Sequence, residues 1–407
     1  MKKVCGKYTI VSAYEVVEDA CVIFDEKIVR IEKERDIPED TVVTHGFASI
    51  HTHLGLYPIR TTLNSYLKLD EWVLKYVWPW ERLLRREPEL SYASAILAIS
   101  ELVLSGVTAI ADMHFNEDIV AEALLRVGVR GSLSIAIMSK GIYSSLDEAL
   151  QDNLELARKL RGVDLLEVRL GPTTPRLLTL EEFKKVVDVA TEIGVGIHTH
   201  IAEVPEDAIY LEREYGKKLK DFIEYVGLQK VNTIVAHGVW LDSDSLDVLA
   251  HPNITIAHCP SSNTLLRDGV APIRSYLNRN IRVGLGVDVS PTYSMLDEIK
   301  TAIPLHLGRG DLGFKELFNA ATSTGYRALG VGSGLIEVGE TADVVLWSLN
   351  EPALDPVTDV VVFGRVSEVY VRGEKIVENG RLARVTSNEM KELRGDVTRH
   401  LKKCLTA

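Results

Sequence analysis

Apolar positions in the middle of the chain fall in short runs separated by longer amphipathic stretches. The runs are "GFASIHTH" (46–53), "VTAIADM" (107–113), "RGSLSIAI" (130–137), "LEVRLGP" (166–172), "VGIHTHIAE" (195–203), "NTIVAHG" (232–238), "ITIAHCP" (254–260) and "RVGLGVD" (282–288). Short, near-continuous apolar runs predict strands buried on both faces. The intervening stretches, such as "TLEEFKKVVDVATEIG" (179–194) and "KELFNAATSTGYRALG" (315–330), carry the helical period. Eight alternating units of this kind predict an α/β fold, a (β/α)8 TIM barrel.

The two ends follow a different pattern. "KYTIVSA", "ACVIFDEKIVRIEK" and "TVVTHG" precede the barrel, and "ADVVLWSL" and "VVVFGRVSEVYVRGEKIVENGRLARV" follow it. "ENGR" carries an Asn-Gly hairpin signal. Neither set of strands is large enough to enclose a core. One composite β-sandwich domain is therefore expected from residues 1–45 and 340–386, around a barrel at 46–339. "SNEMKELRGDVTRHLKKCL" predicts a C-terminal helix over 387–407, with Ser387 as N-cap.

Composition narrows the function classes. A net charge of −12 with no basic block argues against nucleic-acid binding. No apolar run approaches the ~20 residues of a membrane span, and the N-terminus lacks the apolar stretch of a signal peptide. A cytoplasmic protein acting on a small molecule is expected, with a homo-oligomer left open. Cys5, Cys21, Cys259 and Cys404 show no CxxC spacing; Cys5 and Cys21 lie in the first small domain, where they could meet, and are expected to be reduced unless the source is a hyperthermophile. Only Gln151 and Gln229 stand against many Glu, Lys and Arg, a thermophile-like balance.

The reactive residues gather at the ends of the apolar runs. His51 and His53 close the first. His198 and His200 lie near the end of the fifth, with Glu203 three residues beyond His200. His237 closes the sixth and Asp288 the eighth. Barrel enzymes carry their active sites at the C-terminal strand ends, and strand alternation puts His51 and His53 on one face. Imidazole with carboxylate suits one divalent metal ion, zinc first, with iron or manganese open. As ligands, His51, His53, His200 and Asp288 leave room for a water whose pKa the metal lowers towards ~7. His237 is then the group that orients or deprotonates that water, and Glu203 the general acid. "LEVRLGP" holds no lysine that could bridge a second metal, so the site is expected to be mononuclear.

This constellation resembles the amidohydrolase superfamily, in the branch of methylthioadenosine/S-adenosylhomocysteine deaminases, aminopurine deaminases and triazine chlorohydrolases. The resemblance runs through "GFASIHTH", "LDEWVLKYVWPWE", "GVTAIADMHF", "IHTHIAE", "VAHGVWL", "IAHCPSSNTLLRDGVAPI", "VGLGVDVSPTYSMLDE" and "GLIEVGETADVVLW". It implies the same metal ligands, with Glu203, His237 and Asp288 catalytic. It further implies Trp72 and Glu81 at the ribose, and Asn263 of "CPSSN" at the barrel mouth, as substrate-binding residues. The implied activity is hydrolytic deamination of an aminopurine base or nucleoside, with ammonia released by metal-bound hydroxide.

Two departures bear on the substrate. "GPTTPR" has Thr173 where nucleoside deaminases have a purine-contacting histidine, and Ile135 stands where an arginine would hold the homocysteine carboxylate. S-adenosylhomocysteine is therefore not the expected substrate. Arg176 reads either as a cation for an acidic substrate or as a solvated loop residue. His114 and His258 read as structural histidines. "LNSYLKLDEWVLKYVWPWE" (63–81), with three Trp and two Tyr, reads as a lid over an aromatic substrate rather than a core helix. Two rival functions remain: triazine-type dechlorination or cyclic-amide opening in the same site, and a non-catalytic metal-binding relative. Ammonia release separates the first pair, and the presence of Glu203 and His237 speaks against the last.

Overall fold

The computed structural model describes residues 1–143, 145–308 and 312–406. Four strands open the chain: β1 (Lys2–Ser12), β2 (Glu15–Phe24), β3 (Ile28–Lys33) and β4 (Thr41–His45). Eight more follow: β5 (Phe47–Ser49), β6 (Val107–His114), β7 (Arg130–Ile137), β8 (Leu166–Pro172), β9 (Gly196–Ile201), β10 (Thr233–His237), β11 (Ile254–His258) and β12 (Arg282–Leu285). Four close the set: β13 (Val344–Ser348), β14 (Arg365–Val371), β15 (Glu374–Glu378) and β16 (Arg381–Leu382).

β5 to β12 pair in chain order as a parallel sheet. The sheet closes on itself where Ile50 N–H donates to Leu285 O at 3.0 Å and Thr52 pairs in parallel with Asp288. The TIM barrel expected from the eight apolar runs is the fold observed. Helices cover its outside. The helix Leu180–Ile193 shows why they sit there: Leu180, Phe183, Val186, Val187 and Ala190 form one buried face. It starts at a capping box in which Thr179 and Glu182 bond reciprocally, so Thr179→Ala would cost about 1 kcal/mol.

The terminal strands form one ladder, ordered β16-β15-β14-β13-β4-β1-β2-β3. The rings of Phe24 on β2 and Tyr370 on β14 meet at 5.0 Å, although three strands separate them in that order. The sheet therefore doubles over on a small core, as a sandwich does. Two local expectations are corrected. Cys5 and Cys21 form a disulfide rather than standing reduced, because they face each other across β1 and β2 with Cα atoms 3.9 Å apart. The C-terminal helix Ser387–Thr406 is capped one residue early, by Thr386, whose hydroxyl accepts from Glu389 N–H at 3.2 Å.

A buried ion pair joins sandwich to barrel. Arg130, at the start of β7, donates from Nε and Nη2 to Asp343 at 2.6 and 3.1 Å. Tyr326 Oη and Arg372 N–H donate to the same carboxylate at 2.7 Å each. Burial alone would raise the Asp343 pKa, but the guanidinium and these donors hold it below the usual carboxylate range. Among the described residues, no helix is long and apolar enough to cross a membrane.

Candidate active site

The C-terminal ends of β5, β9, β10 and β12 bring His51, His53, His200, His237 and Asp288 together. His53 Nε2 lies 3.4 Å from Asp288 Oδ1 and His51 Nε2 lies 3.5 Å from the same oxygen. His200 Nε2 is 3.3 Å from His53 Nε2. The close approach depends on Gly286: a Cβ there would stand 2.8 Å from His51 Cβ and 2.9 Å from Cys259 Sγ. Ala202, His237 and Asp288 each turn their strand end in the left-handed region, with φ of 53°, 69° and 55°. Non-glycine residues seldom adopt that conformation, and such strain concentrates at functional sites.

The second nitrogen of each ring is already committed. His53 Nδ1–H donates to Met113 O at 2.7 Å, and His200 Nδ1–H donates to Thr173 O at 2.8 Å. A carbonyl only accepts, so both rings carry the proton on Nδ1 and turn an Nε2 lone pair into the site. His51 Nδ1 bonds His198 Nε2 at 2.8 Å, while its Nε2 is buried without a hydrogen-bond partner among the described residues. Burial, with His53 and His237 nearby, holds the His51 pKa well below its ordinary value, so the ring is neutral. Neutral imidazoles aimed by outer hydrogen bonds, with one carboxylate, fit a single divalent metal ion.

Glu203 and His237 stand beside this set, with Glu203 Oε1 3.4 Å from His237 Nε2. Burial raises the Glu203 pKa well above the carboxylate range, and Asp268, Asp288 and Asp207 add to the effect. A carboxyl whose acid form is favoured in this way can act as a general acid. Burial pushes His237 down to about 3.

All of this opens on a cavity of about 360 Å³. Trp72, Glu81, Thr173 and Arg176 line it together with His53, His200, Glu203, His237 and Asp288. Glu81 Oε1 bonds His114 Nδ1 at 3.2 Å, and its buried Oε2 has no partner among the described residues. Thr173 donates its hydroxyl to Ile137 O at 2.9 Å. Arg176 is paired in the cavity wall: Asp70 at 2.8 Å and Asp207 at 2.7 Å hold its guanidinium, and Asp207 also accepts from Glu203 N–H at 2.9 Å. Asn263 is not among the cavity-lining residues; its amide reaches His237 Nδ1 at 2.9 Å instead. The 63–81 segment divides between its two readings. Trp72, Val73, Val77 and Trp78 line the cavity, while Trp80 is fully buried and donates to Gly55 O at 2.9 Å.

The hydrogen bond between His51 and His198 was readable in principle, since His198 and His200 alternate onto one face of β9. His258 pairs with His306, Nε2 to Nε2 at 2.9 Å, away from the cavity lining.

The amidohydrolase family profile matches residues 42–376. The chain belongs to the amidohydrolase family. Its relatives include the 5-methylthioadenosine/S-adenosylhomocysteine deaminase of Thermococcus onnurineus, 34% identical over 85% of each chain. The 5'-deoxyadenosine deaminase of Methanopyrus kandleri is 31% identical over 94% of this chain and 95% of its own. In fold, this amidohydrolase superposes on the zinc-bound adenosine deaminase of Xanthomonas campestris with a TM-score of 0.91, at 22% identity and covering 98% of each chain.

Proposed function

We propose that this amidohydrolase deaminates adenosine-type nucleosides carrying a small apolar 5′ group, such as 5′-deoxyadenosine and 5′-methylthioadenosine. The observation that carries the proposal is the convergence of the metal-donor set, Glu203 and His237 on one predominantly apolar cavity. The names of the two relatives above support the substrate class. Among the described residues lining the cavity, Arg176 is the one cation besides histidine, and two carboxylates already neutralise it. Leu56, Val73, Leu74, Met138 and Leu177 supply much of the rest of the wall. An amino-acid tail with its carboxylate would lose hydration there without gaining a partner, so S-adenosylhomocysteine is a poor substrate.

His51, His53, His200 and Asp288 would hold a zinc ion, which when bound would supply a nucleophilic water at neutral pH. Glu203 gives its proton to the ring nitrogen beside the amino-bearing carbon. His237 orients the attacking water from Nε2. Asp288 passes one proton of the water to the departing amine. Water adds, the C–N bond breaks, ammonia leaves, and the water's second proton returns to Glu203 as the ring becomes its oxo form. Trp72 and the free oxygen of Glu81 take the ribose, Oε2 accepting from a sugar hydroxyl.

An ammonia-release assay across 5′-deoxyadenosine, 5′-methylthioadenosine, adenosine, S-adenosylhomocysteine and adenine tests this reading. The 5′-apolar nucleosides should turn over fastest. Turnover led by S-adenosylhomocysteine would overturn the specificity, and no ammonia from any of them would overturn the reaction.

A further inference from the structure

His237 differs from the metal-facing histidines in what its second nitrogen meets. His53 and His200 point Nδ1 at carbonyl oxygens. His237 points Nδ1 at Asn263 Nδ2, 2.9 Å away. The same Nδ2 lies 3.2 Å from Asp268 Oδ2. His237, Asn263 and Asp268 are each 1% exposed. Asp268 is fixed in place: its N–H donates to Asn263 O at 2.9 Å, and its carbonyl accepts from Trp240 Nε1 at 2.6 Å.

We propose that Asp268, acting through the Asn263 carboxamide, is a positioning residue that keeps the His237 proton on Nε2. Burial pushes the Asp268 pKa up to about 8, while the hydrogen bond from Asn263 favours the ionised form, which only accepts; the face of Asn263 turned towards it is then the NH2 group. One hydrogen of that nitrogen goes to Asp268 and the other to His237 Nδ1. Nδ1 must then offer a lone pair, which leaves the ring proton on Nε2, the nitrogen facing Glu203. His237 thus meets the reacting groups as a hydrogen-bond donor. Its tautomer is opposite to that of His53 and His200, which separates it from the metal ligands. Neutral His237 orients the water and stabilises developing negative charge; it does not take a proton at Nε2.

The kinetic part of this inference rests on the deaminase reading, and the tautomer does not. Nitrogen NMR shifts of isotope-labelled histidine read the tautomer in the full-length protein, metal-free and zinc-loaded, with the His237 signals identified by their loss in His237→Asn. The expected result is an unprotonated Nδ1 and a protonated Nε2 in both forms. A protonated Nδ1 in the native chain overturns the proposal, whether or not any substrate turns over. Asn263→Asp replaces the donor by an acceptor; it should move the proton to Nδ1 and lower kcat by about 10–100-fold with KM little changed. Asp268→Ala should lower kcat in the same way, and Asp268→Asn, which keeps an acceptor oxygen, should restore most of it. Native kcat and native ring shifts in Asp268→Ala would overturn the role of Asp268.

Discussion

Two clusters of buried charge sit at opposite ends of the barrel strands and are built on opposite principles. At the junction with the sandwich, both oxygens of Asp343 are bonded, to Arg130, Tyr326 and Arg372 N–H. At the mouth, His51 Nε2, Glu81 Oε2 and Asp268 Oδ1 are buried with no hydrogen-bond partner among the described residues, and Ala202, His237 and Asp288 are turned into strained backbone. A satisfied cluster stabilises the fold. An unsatisfied one costs stability and persists because something from outside completes it. The contrast separates what holds this protein together from what it works with.

Substitutions at the mouth should change chemistry and spare the fold. His237→Asn or Glu203→Gln should lower kcat by about 10²–10⁴-fold, with an unchanged or slightly raised melting temperature. A fall in both would place these groups among the structural ones. The converse holds at the junction. Arg130→Met leaves Asp343 buried and unpaired and should cost about 3–5 kcal/mol in denaturant unfolding, while kcat of the remaining folded enzyme stays native. Glu81→Ala tests the ribose contact; it should reduce kcat/KM for nucleosides by about tenfold or more, leaving adenine little affected.

The smallest effect concerns pH. Asp343 has a depressed folded pKa, so its contribution to stability is fully present above the unfolded value of ~3.9 and is lost as pH falls through the folded value. The melting temperature of the native protein should drop over that acid range. Asp343→Asn should be less stable at neutral pH and flatter across the acid range; equal acid slopes would remove Asp343 from the junction's account.

Much of the barrel was legible because burial on both faces writes itself as uninterrupted apolar runs, each of which the structure meets within a few residues. The His and Asp residues at the mouth were legible for the same reason, as polar residues ending apolar strands. What was not legible depends on contacts that only the folded path of the chain creates. Arg176 read as a substrate cation or a solvated residue because Asp70, 106 positions away, carries no local signal. Asp268 is one acid in a loop, and only the folded path from Cys259 to Gly269 brings it to Asn263. The Cys5–Cys21 disulfide needed the β1–β2 register, which two lone cysteines do not specify.

The central claim is that the open mouth is completed by a metal ion that the chemistry requires. The most direct test follows ammonia release from 5′-deoxyadenosine while a chelator withdraws the metal and zinc is restored to the same preparation. The account predicts about one divalent ion per chain at full activity, loss of turnover in proportion to metal removed, and recovery on addition. Undiminished ammonia release from metal-free protein would contradict it.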